Sequence, residues 1–102
     1  MQLENKVAII TGAASGMGKA MAKGYAEEGA SVVIADLDAA AAAEVAESIN
    51  SDGGTAIAIK YDVTDIQQSR DLVDSTLDKY GQLDILVNNA GVIAVSPIED
   101  AT

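Results

Sequence analysis

Short apolar runs alternate along this chain with longer segments in which apolar residues recur at helical spacing. Four of these runs are predicted to be strands, at residues 7–10, 31–35, 55–59 and 85–87. They are apolar at nearly every position, as expected of parallel strands that are buried on both faces. Because right-handed crossovers join such strands into one parallel sheet covered by helices, the pattern predicts an α/β fold.

Three helices are predicted between these strands. The first covers residues 16–28, and the second follows Asp38, its expected N-cap. In the third, Thr64 and Gln67 have the spacing of a capping box. The side chains expected to face inward are, from the first helix to the third, Met17, Met21 and Tyr25; Ala42, Val45, Ala46 and Ile49; and Ile66, Val73, Leu77 and Tyr80.

Composition narrows the classes of function. Six basic and sixteen acidic residues give a formal net charge of −10, so we expect neither nucleic acid nor an anionic membrane as a partner. The chain has no cysteine and no histidine, which removes the usual metal ligands and the usual general base. No apolar segment approaches the ~20 residues of a membrane span, and the start MQLENK is unlike a signal peptide, so we expect a cytoplasmic protein.

The segment TGAASGMG, residues 11–18, lies between the first predicted strand and the first predicted helix. Such a turn directs free backbone N–H groups and the positive end of the helix dipole at one point, which favours a phosphate group. It is not a Walker loop, because that motif requires glycine at Ala13 and a hydroxyl at Ala20. The alternative is a plain glycine turn in which Gly18 only eases the packing of the helix on the strand.

Asp36 follows the second predicted strand, 18 residues after Gly18. In a dinucleotide site, an acidic group at this point accepts hydrogen bonds from the adenosine ribose hydroxyls and opposes a 2′-phosphate. No basic residue stands at Ala14, Ser15 or Leu37 to neutralise a 2′-phosphate, so NAD is the favoured cofactor. A solvated carboxylate, or a second cap for the helix that follows, is the alternative role of Asp36.

Residues 88–91 read NNAG and follow the fourth predicted strand, which puts them at the same edge of the sheet as the glycine loop. Alone, NNAG could be only a turn. Together with Thr11-Gly12-x-x-x-Gly16-x-Gly18, however, it resembles the motifs of the short-chain dehydrogenase/reductase family. The resemblance covers essentially all 102 residues. It implies a three-layer, Rossmann-type doubly wound sheet with strand order 3-2-1-4, here the amino-terminal part of a longer enzyme domain.

The resemblance also implies which residues bind the cofactor. Asp62 is expected to bond the adenine amino group and the Val63 backbone an adenine ring nitrogen, while residues 89–91 line the ribose next to the nicotinamide. For Asp62, a polar role at the start of the third helix, near Thr64, is an equal alternative. The full set of expected NAD-binding residues is Gly12, Ser15, Gly16, Met17, Gly18, Asp36, Leu37, Asp62, Val63, Asn89, Ala90 and Gly91.

Enzymes of this family transfer hydride between the nicotinamide and an alcohol or carbonyl carbon, using a serine and a Tyr-x-x-x-Lys pair. None of the three tyrosines has lysine at the fourth following position. Ser96 comes too soon after Gly91 to be the family's serine and is better explained as the cap of a helix that begins at residues 96–99. We therefore expect no catalytic residue here. The chain is either part of a dehydrogenase of alcohols or ketones or a stand-alone nucleotide-binding module, and a methyltransferase-like module is disfavoured by the motif spacing.

The fourth predicted strand has one further consequence. With nothing predicted beyond it, residues 84–88 form an exposed edge that is apolar on both faces, which natural proteins normally cover or blunt. We therefore expect association through this strand, and hence a homo-oligomer, or a missing part of the same subunit that covers it.

Overall fold

The structure is a computed structural model that describes residues 2–62 and 64–88 and the backbone of the strand at residues 91–94. Its elements, in chain order, are β1 (Val7–Thr11), α1 (Gly16–Glu27), β2 (Ser31–Asp36), α2 (Ala39–Ser51), β3 (Thr55–Lys60), α3 (Ile66–Tyr80), β4 (Ile85–Asn88) and β5 (Gly91–Ala94). The predicted helix start at residues 96–99 lies outside the described residues.

The strands form one sheet in the order β3-β2-β1-β4-β5. The four strands from β1 to β4 pair in parallel, which confirms the α/β doubly wound fold and the predicted order 3-2-1-4. Each crossover passes through a helix, so the strand ends that point towards the start of the next helix all lie at one edge. This carboxyl edge is where ligands bind in open α/β sheets.

One prediction about the sheet is wrong. β4 is not an exposed edge, because β5 pairs with it in antiparallel orientation. Leu86 of β4 is opposite Ile9 of β1 on one side and Ile93 of β5 on the other. The two strands lie close in sequence, with Asn88 paired to Gly91, and valine and isoleucine in β5 favour a strand. The expected association through β4 therefore loses its structural basis.

Two apolar clusters lie on opposite faces of the sheet, because successive side chains of a strand point to opposite faces. Ile10 and Ile34 belong to the cluster under α1 and α2, whereas their neighbours Ile9 and Val33 belong to the cluster under α3. All four side chains are fully buried. Burial of each stabilises the fold by about 1.5–3 kcal/mol relative to exposure, so the centre of β1 and β2 anchors both layers.

The inward face of α2 is confirmed, and those of α1 and α3 are confirmed except for one predicted residue in the first turn of each helix. In α1 the buried residues are Gly18 and Ala22, and Met17 is 73% exposed. In α3 the buried residues are Leu72 and Thr76, and Ile66 is 74% exposed. The expected partners Met21 and Tyr25 of α1, and Val73, Leu77 and Tyr80 of α3, are partly buried against the two clusters.

The predicted cap of α3 is wrong by one residue. The N-cap is Asp65, whose carboxylate accepts a hydrogen bond from the N–H of Gln68 at 3.1 Å. Thr64, the expected cap, instead donates its hydroxyl to Asp62. The helix therefore begins one residue later than a Thr64 cap implies, so Ile66 is its first residue.

Candidate nucleotide-binding site

The glycine loop leaves β1 at the point where that strand lies between β2 and β4. The Thr11 hydroxyl donates to the Val87 carbonyl of β4 at 3.3 Å, and the Gly12 N–H donates to the Ala35 carbonyl of β2 at 2.8 Å. Gly12 has φ 65° and Gly16 has φ 60°, a left-handed conformation that side chains disfavour. The loop is thus fixed to both neighbouring strands before it turns into α1.

Gly18 permits a close approach between α1 and this loop. A Cβ atom at Gly18 would lie 2.9 Å from the carbonyl carbon of Gly12 and 3.0 Å from Cα of Ala13, with the Gly12 oxygen closer still. Each of these is a backbone atom, and Ala13 is fully buried. The packing role of Gly18 is therefore a property of the fold, whatever the loop binds.

The N-terminus of α1 differs from the other two helix starts. Asp38 caps α2 by accepting from the Ala41 N–H at 3.0 Å, and Asp65 caps α3. Ser15 is the N-cap of α1 in extended conformation, and its side chain makes no capping hydrogen bond. The first turn of α1 contains no acidic residue. The N–H groups and the positive dipole end at this terminus are therefore not neutralised by a cap, which is the arrangement that accepts an anion.

The Asp36 carboxylate lies between the glycine loop and the start of α2. Its Oδ2 accepts a hydrogen bond from the Ala14 N–H at 3.1 Å, and its Oδ1 accepts one from the Asp38 N–H at 2.9 Å. The predicted alternative of a second cap for α2 does not describe this geometry, because Asp38 alone caps that helix. Leu37, next in sequence, is 62% exposed, so an apolar side chain flanks the carboxylate at the surface.

Asp62 follows β3 at the same edge of the sheet. The Tyr61 N–H donates to the Asp36 carbonyl at 2.9 Å, which joins the end of β3 to the end of β2. Asp62 Oδ1 accepts from the Thr64 hydroxyl at 2.7 Å and from the Thr64 N–H at 2.9 Å. These two bonds hold the pKa of Asp62 below its ordinary value, against the effect of partial burial and with a smaller contribution from the charge of Lys60. A role at the start of α3 is thus observed, and the adenine contact stays a prediction.

The structure brings the glycine loop and Asp36 into direct contact and puts Asp62 one strand further along the edge. Of the other predicted residues, Val63, Asn89 and Ala90 lie outside the described residues, and Gly91 begins β5. Sequence reasoning missed the N–H group of Ala14, which joins the loop to Asp36. No residue pattern signals this contact, because every residue except proline has a backbone N–H.

In residues 2–62 and 64–88, no group of three or more histidine, cysteine, aspartate or glutamate side chains is arranged to hold a metal ion. None of the helices described is long and apolar enough to cross a bilayer.

Known proteins similar to this chain share both its sequence and its fold. Galactitol 2-dehydrogenase from Agrobacterium fabrum is 47% identical over 102 residues, which are 100% of this chain and 39% of that protein. Sorbitol dehydrogenase from Cereibacter sphaeroides is 45% identical with the same two coverages. The crystal structure of a hydroxysteroid dehydrogenase from Escherichia coli superposes with a TM-score of 0.84 at 46% identity, covering 85% of this chain and 37% of that one.

The chain thus spans about two fifths of the length of the relatives it matches. A family model described as short chain dehydrogenase matches residues 6–102. Both motifs that suggested this family, the glycine loop and NNAG, lie within the matched range. The chain belongs to the short-chain dehydrogenase family of oxidoreductases.

Proposed function

We propose that these residues are the NAD(H)-binding part of an enzyme that transfers hydride between nicotinamide and an alcohol or carbonyl carbon. The observation that carries this proposal is the contact between the glycine loop and Asp36. It unites an anion-accepting helix start with a carboxylate that can accept hydroxyl donors. Bound NAD(H) supplies or takes up the hydride, and the residues described here bind and orient it.

The pyrophosphate is assigned to the start of α1. Ser15, Gly16 and Met17 are exposed there, and the Ser15 side chain does not cap the helix. Gly18 keeps the first turn of the helix close to the loop. Backbone N–H groups at a helix N-terminus are a common site for phosphate in proteins.

The adenosine ribose is assigned to Asp36. Each oxygen of an ionised carboxylate can accept two hydrogen bonds, and each oxygen of Asp36 has one backbone partner. One acceptor position therefore remains on each oxygen for the 2′- and 3′-hydroxyls. The same charge opposes the 2′-phosphate of NADP, which is the reason for proposing NAD.

The two ends of the cofactor are assigned by the family resemblance. Asp62 and Val63 are proposed to bind adenine, and residues 89–91 the ribose beside the nicotinamide. Leu37, next to Asp36, and Met17, in the first turn of α1, are 62% and 73% exposed and offer apolar surface at the proposed site. Exposed apolar side chains of this size beside a polar site favour contact with a ring or sugar face.

The acid–base residues are proposed to lie outside these 102 residues, because Tyr25, Tyr61 and Tyr80 are followed at the fourth position by glycine or aspartate. The substrate is accordingly proposed only as a class, a small alcohol or ketone. If the alternative of a binding module is correct, the full-length protein binds NADH yet shows no cofactor-dependent turnover of such compounds.

Titration of the full-length protein with NADH and NADPH tests the cofactor assignment. Hydrogen bonds to a charged acceptor contribute about 1.5–3 kcal/mol, so we expect NADH to bind about 10- to 100-fold more tightly than NADPH. Asp36→Ala should remove most of this preference. Asp38→Asn is the matched control, because it removes a neighbouring charge while its remaining oxygen can still cap α2. Equal affinity of the unmodified protein for both cofactors would refute the assignment.

A further inference from the structure

We propose that Asp36 is also a positioning residue, whose carboxylate holds the glycine loop in its anion-binding shape before any ligand arrives. This role is separate from contact with a ribose. It rests on the proposed function only for the identity of the ligand, because the contact between Ala14 and Asp36 is itself a property of the fold. The positioned group is the N–H of Ala14, in the middle of the loop.

The loop is fixed at its start and at its end by other contacts. At its start, the Gly12 N–H donates to the Ala35 carbonyl at 2.8 Å. At its end, Gly18 packs against the backbone of Gly12. Between these points, the bond from the Ala14 N–H to Asp36 Oδ2 at 3.1 Å ties the loop to β2. Loss of this bond leaves a half-buried donor unsatisfied and the middle of the loop without a side-chain tether.

The Asp36 side chain has a fixed position, which a positioning role requires. Its backbone pairs with Lys60 of β3, and its carbonyl accepts the Tyr61 N–H at 2.9 Å. On the other carboxylate oxygen, the Asp38 N–H at 2.9 Å fixes the orientation of the side chain. A carboxylate oriented by two backbone donors has lost its rotational freedom before binding. The loop it contacts is therefore preorganised, which reduces the ordering required when an anion binds.

The positioning role and the direct electrostatic effect of Asp36 have opposite signs for an anion that lacks a ribose. A negative charge near the loop repels such an anion, so electrostatics alone predicts tighter binding when Asp36 is neutralised. A positioning carboxylate predicts weaker binding, because the loop relaxes. Inorganic pyrophosphate is the suitable probe, since it has the charged groups assigned to the loop and neither ribose nor base.

The experiment compares Asp36→Ala and Asp36→Asn with Asp38→Asn in the full-length protein. Hydrogen exchange of the Ala14 amide is measured without ligand, and pyrophosphate is titrated while the loop amide resonances are followed by NMR. We expect Asp36→Ala to speed exchange at Ala14 about tenfold or more, as loss of a hydrogen bond to a charged group implies. Pyrophosphate binding should weaken only about several-fold, because the loss of the negative charge offsets part of the effect. Asp36→Asn keeps one acceptor oxygen and should restore part of the protection. Asp38→Asn should leave exchange at Ala14 unchanged and bind pyrophosphate at least as tightly as the unmodified protein.

Two results would overturn the positioning role: unchanged Ala14 exchange in both Asp36 variants, or pyrophosphate binding that is equal or tighter in Asp36→Ala. If the unmodified protein shows no pyrophosphate-dependent shift of the loop amides, the anion-binding role of the loop is overturned as well. Failure of the proposed function is distinct, because it appears as absent NADH binding while the Ala14 exchange still responds to Asp36. Asparagine is nearly isosteric with aspartate, so Asp36→Asn can still be compared with Asp38→Asn if Asp36→Ala fails to fold.

Discussion

Gly18→Ala tests the close approach between α1 and the glycine loop in the candidate nucleotide-binding site. The added Cβ would lie 2.9 Å from the Gly12 carbonyl carbon and 3.0 Å from Cα of Ala13. Favourable contacts between carbon atoms have separations of about 3.5–4.0 Å. Because the opposing atoms are all backbone, no change of rotamer relieves the contact, and either α1 or the loop must move.

The expected change in stability is the difference of two terms. Overpacking a well-packed position typically costs about 1–3 kcal/mol, and a rigid backbone neighbour puts this substitution near the upper end of that range. Alanine has a higher helix propensity than glycine by about 1 kcal/mol, which offsets part of the loss. We therefore expect Gly18→Ala to lower the free energy of unfolding by about 2 kcal/mol, the difference between these two contributions.

Gly24→Ala is the matched control, since it makes the same chemical change in the same helix. Gly24 is exposed, and no heavy atom lies within 4 Å of the Cβ that it would gain. Only the helix propensity then changes, so we expect the free energy of unfolding to rise by about 0.5–1 kcal/mol. Relative to the unmodified protein, the free energy of unfolding should therefore fall in Gly18→Ala and rise in Gly24→Ala.

Urea unfolding of the full-length protein measures both free energies, and titration with NADH measures the consequence for the site. Displacement of α1 or the loop in Gly18→Ala should weaken NADH binding, whereas Gly24→Ala should bind as the unmodified protein does. If both variants were equally stabilised and bound NADH normally, α1 would not be held against the loop at Gly18, and the argument from the Cβ distances would be wrong.

Three further predictions concern contacts away from the loop. Asn50→Ala should lower the free energy of unfolding by about 1–3 kcal/mol in urea unfolding, because the Asn50 amide donates to the Ala56 carbonyl at 2.9 Å and accepts the Ala56 N–H at 2.8 Å at the edge strand β3. Burial raises the pKa of Tyr80, whose hydroxyl has no hydrogen-bond partner among the described residues, so stability should be retained below the unfolded pKa near 10 and fall above it. Tyr80→Phe should remove the part of this fall in stability that is due to Tyr80, without destabilising the protein at neutral pH. Urea unfolding at neutral pH and above the unfolded pKa measures both effects. Thr64→Val should raise the pKa of Asp62, as measured by NMR titration. In the unmodified protein this pKa is lowered from 3.8, so the stability that Asp62 contributes is present above 3.8 and is lost as the pH falls through the folded pKa.

The sheet could be predicted from sequence because its strands are unambiguous. The runs that form β1 and β2 are apolar at almost every position, and a helical segment separates each pair of parallel strands. Chain connectivity then leaves few arrangements of a parallel sheet. β5 was not predicted, because the glycine and alanine that begin and end it leave only Val92 and Ile93 as strand formers.

The first turns of α1 and α3 were harder to predict, because Met17 and Ile66 continue the apolar spacing of their helices yet are exposed. At α3 the sequence offers two equally spaced caps, Thr64 with Gln67 and Asp65 with Gln68. The hydrogen bonds from Thr64 to Asp62 decide between them, and these arise only once the end of β3 is in place.

In the candidate site, too, some positions could be predicted from their side chains, whereas the backbone groups could not. Gly18 was predictable because the close approach of α1 requires a residue without a side chain. Asp36 was predictable only together with the glycine loop, because a carboxylate at a strand end also has structural roles. In the loop, the hydrogen-bond donor to Asp36 is the N–H of Ala14, a group that any residue but proline would provide. A sequence therefore predicts the positions in such a site where a side chain must be absent or charged. It does not predict which backbone N–H groups take part. For this reason the positioning role of Asp36 follows only from the folded chain, in which β2 brings its carboxylate beside a loop that begins 24 residues earlier, at Gly12.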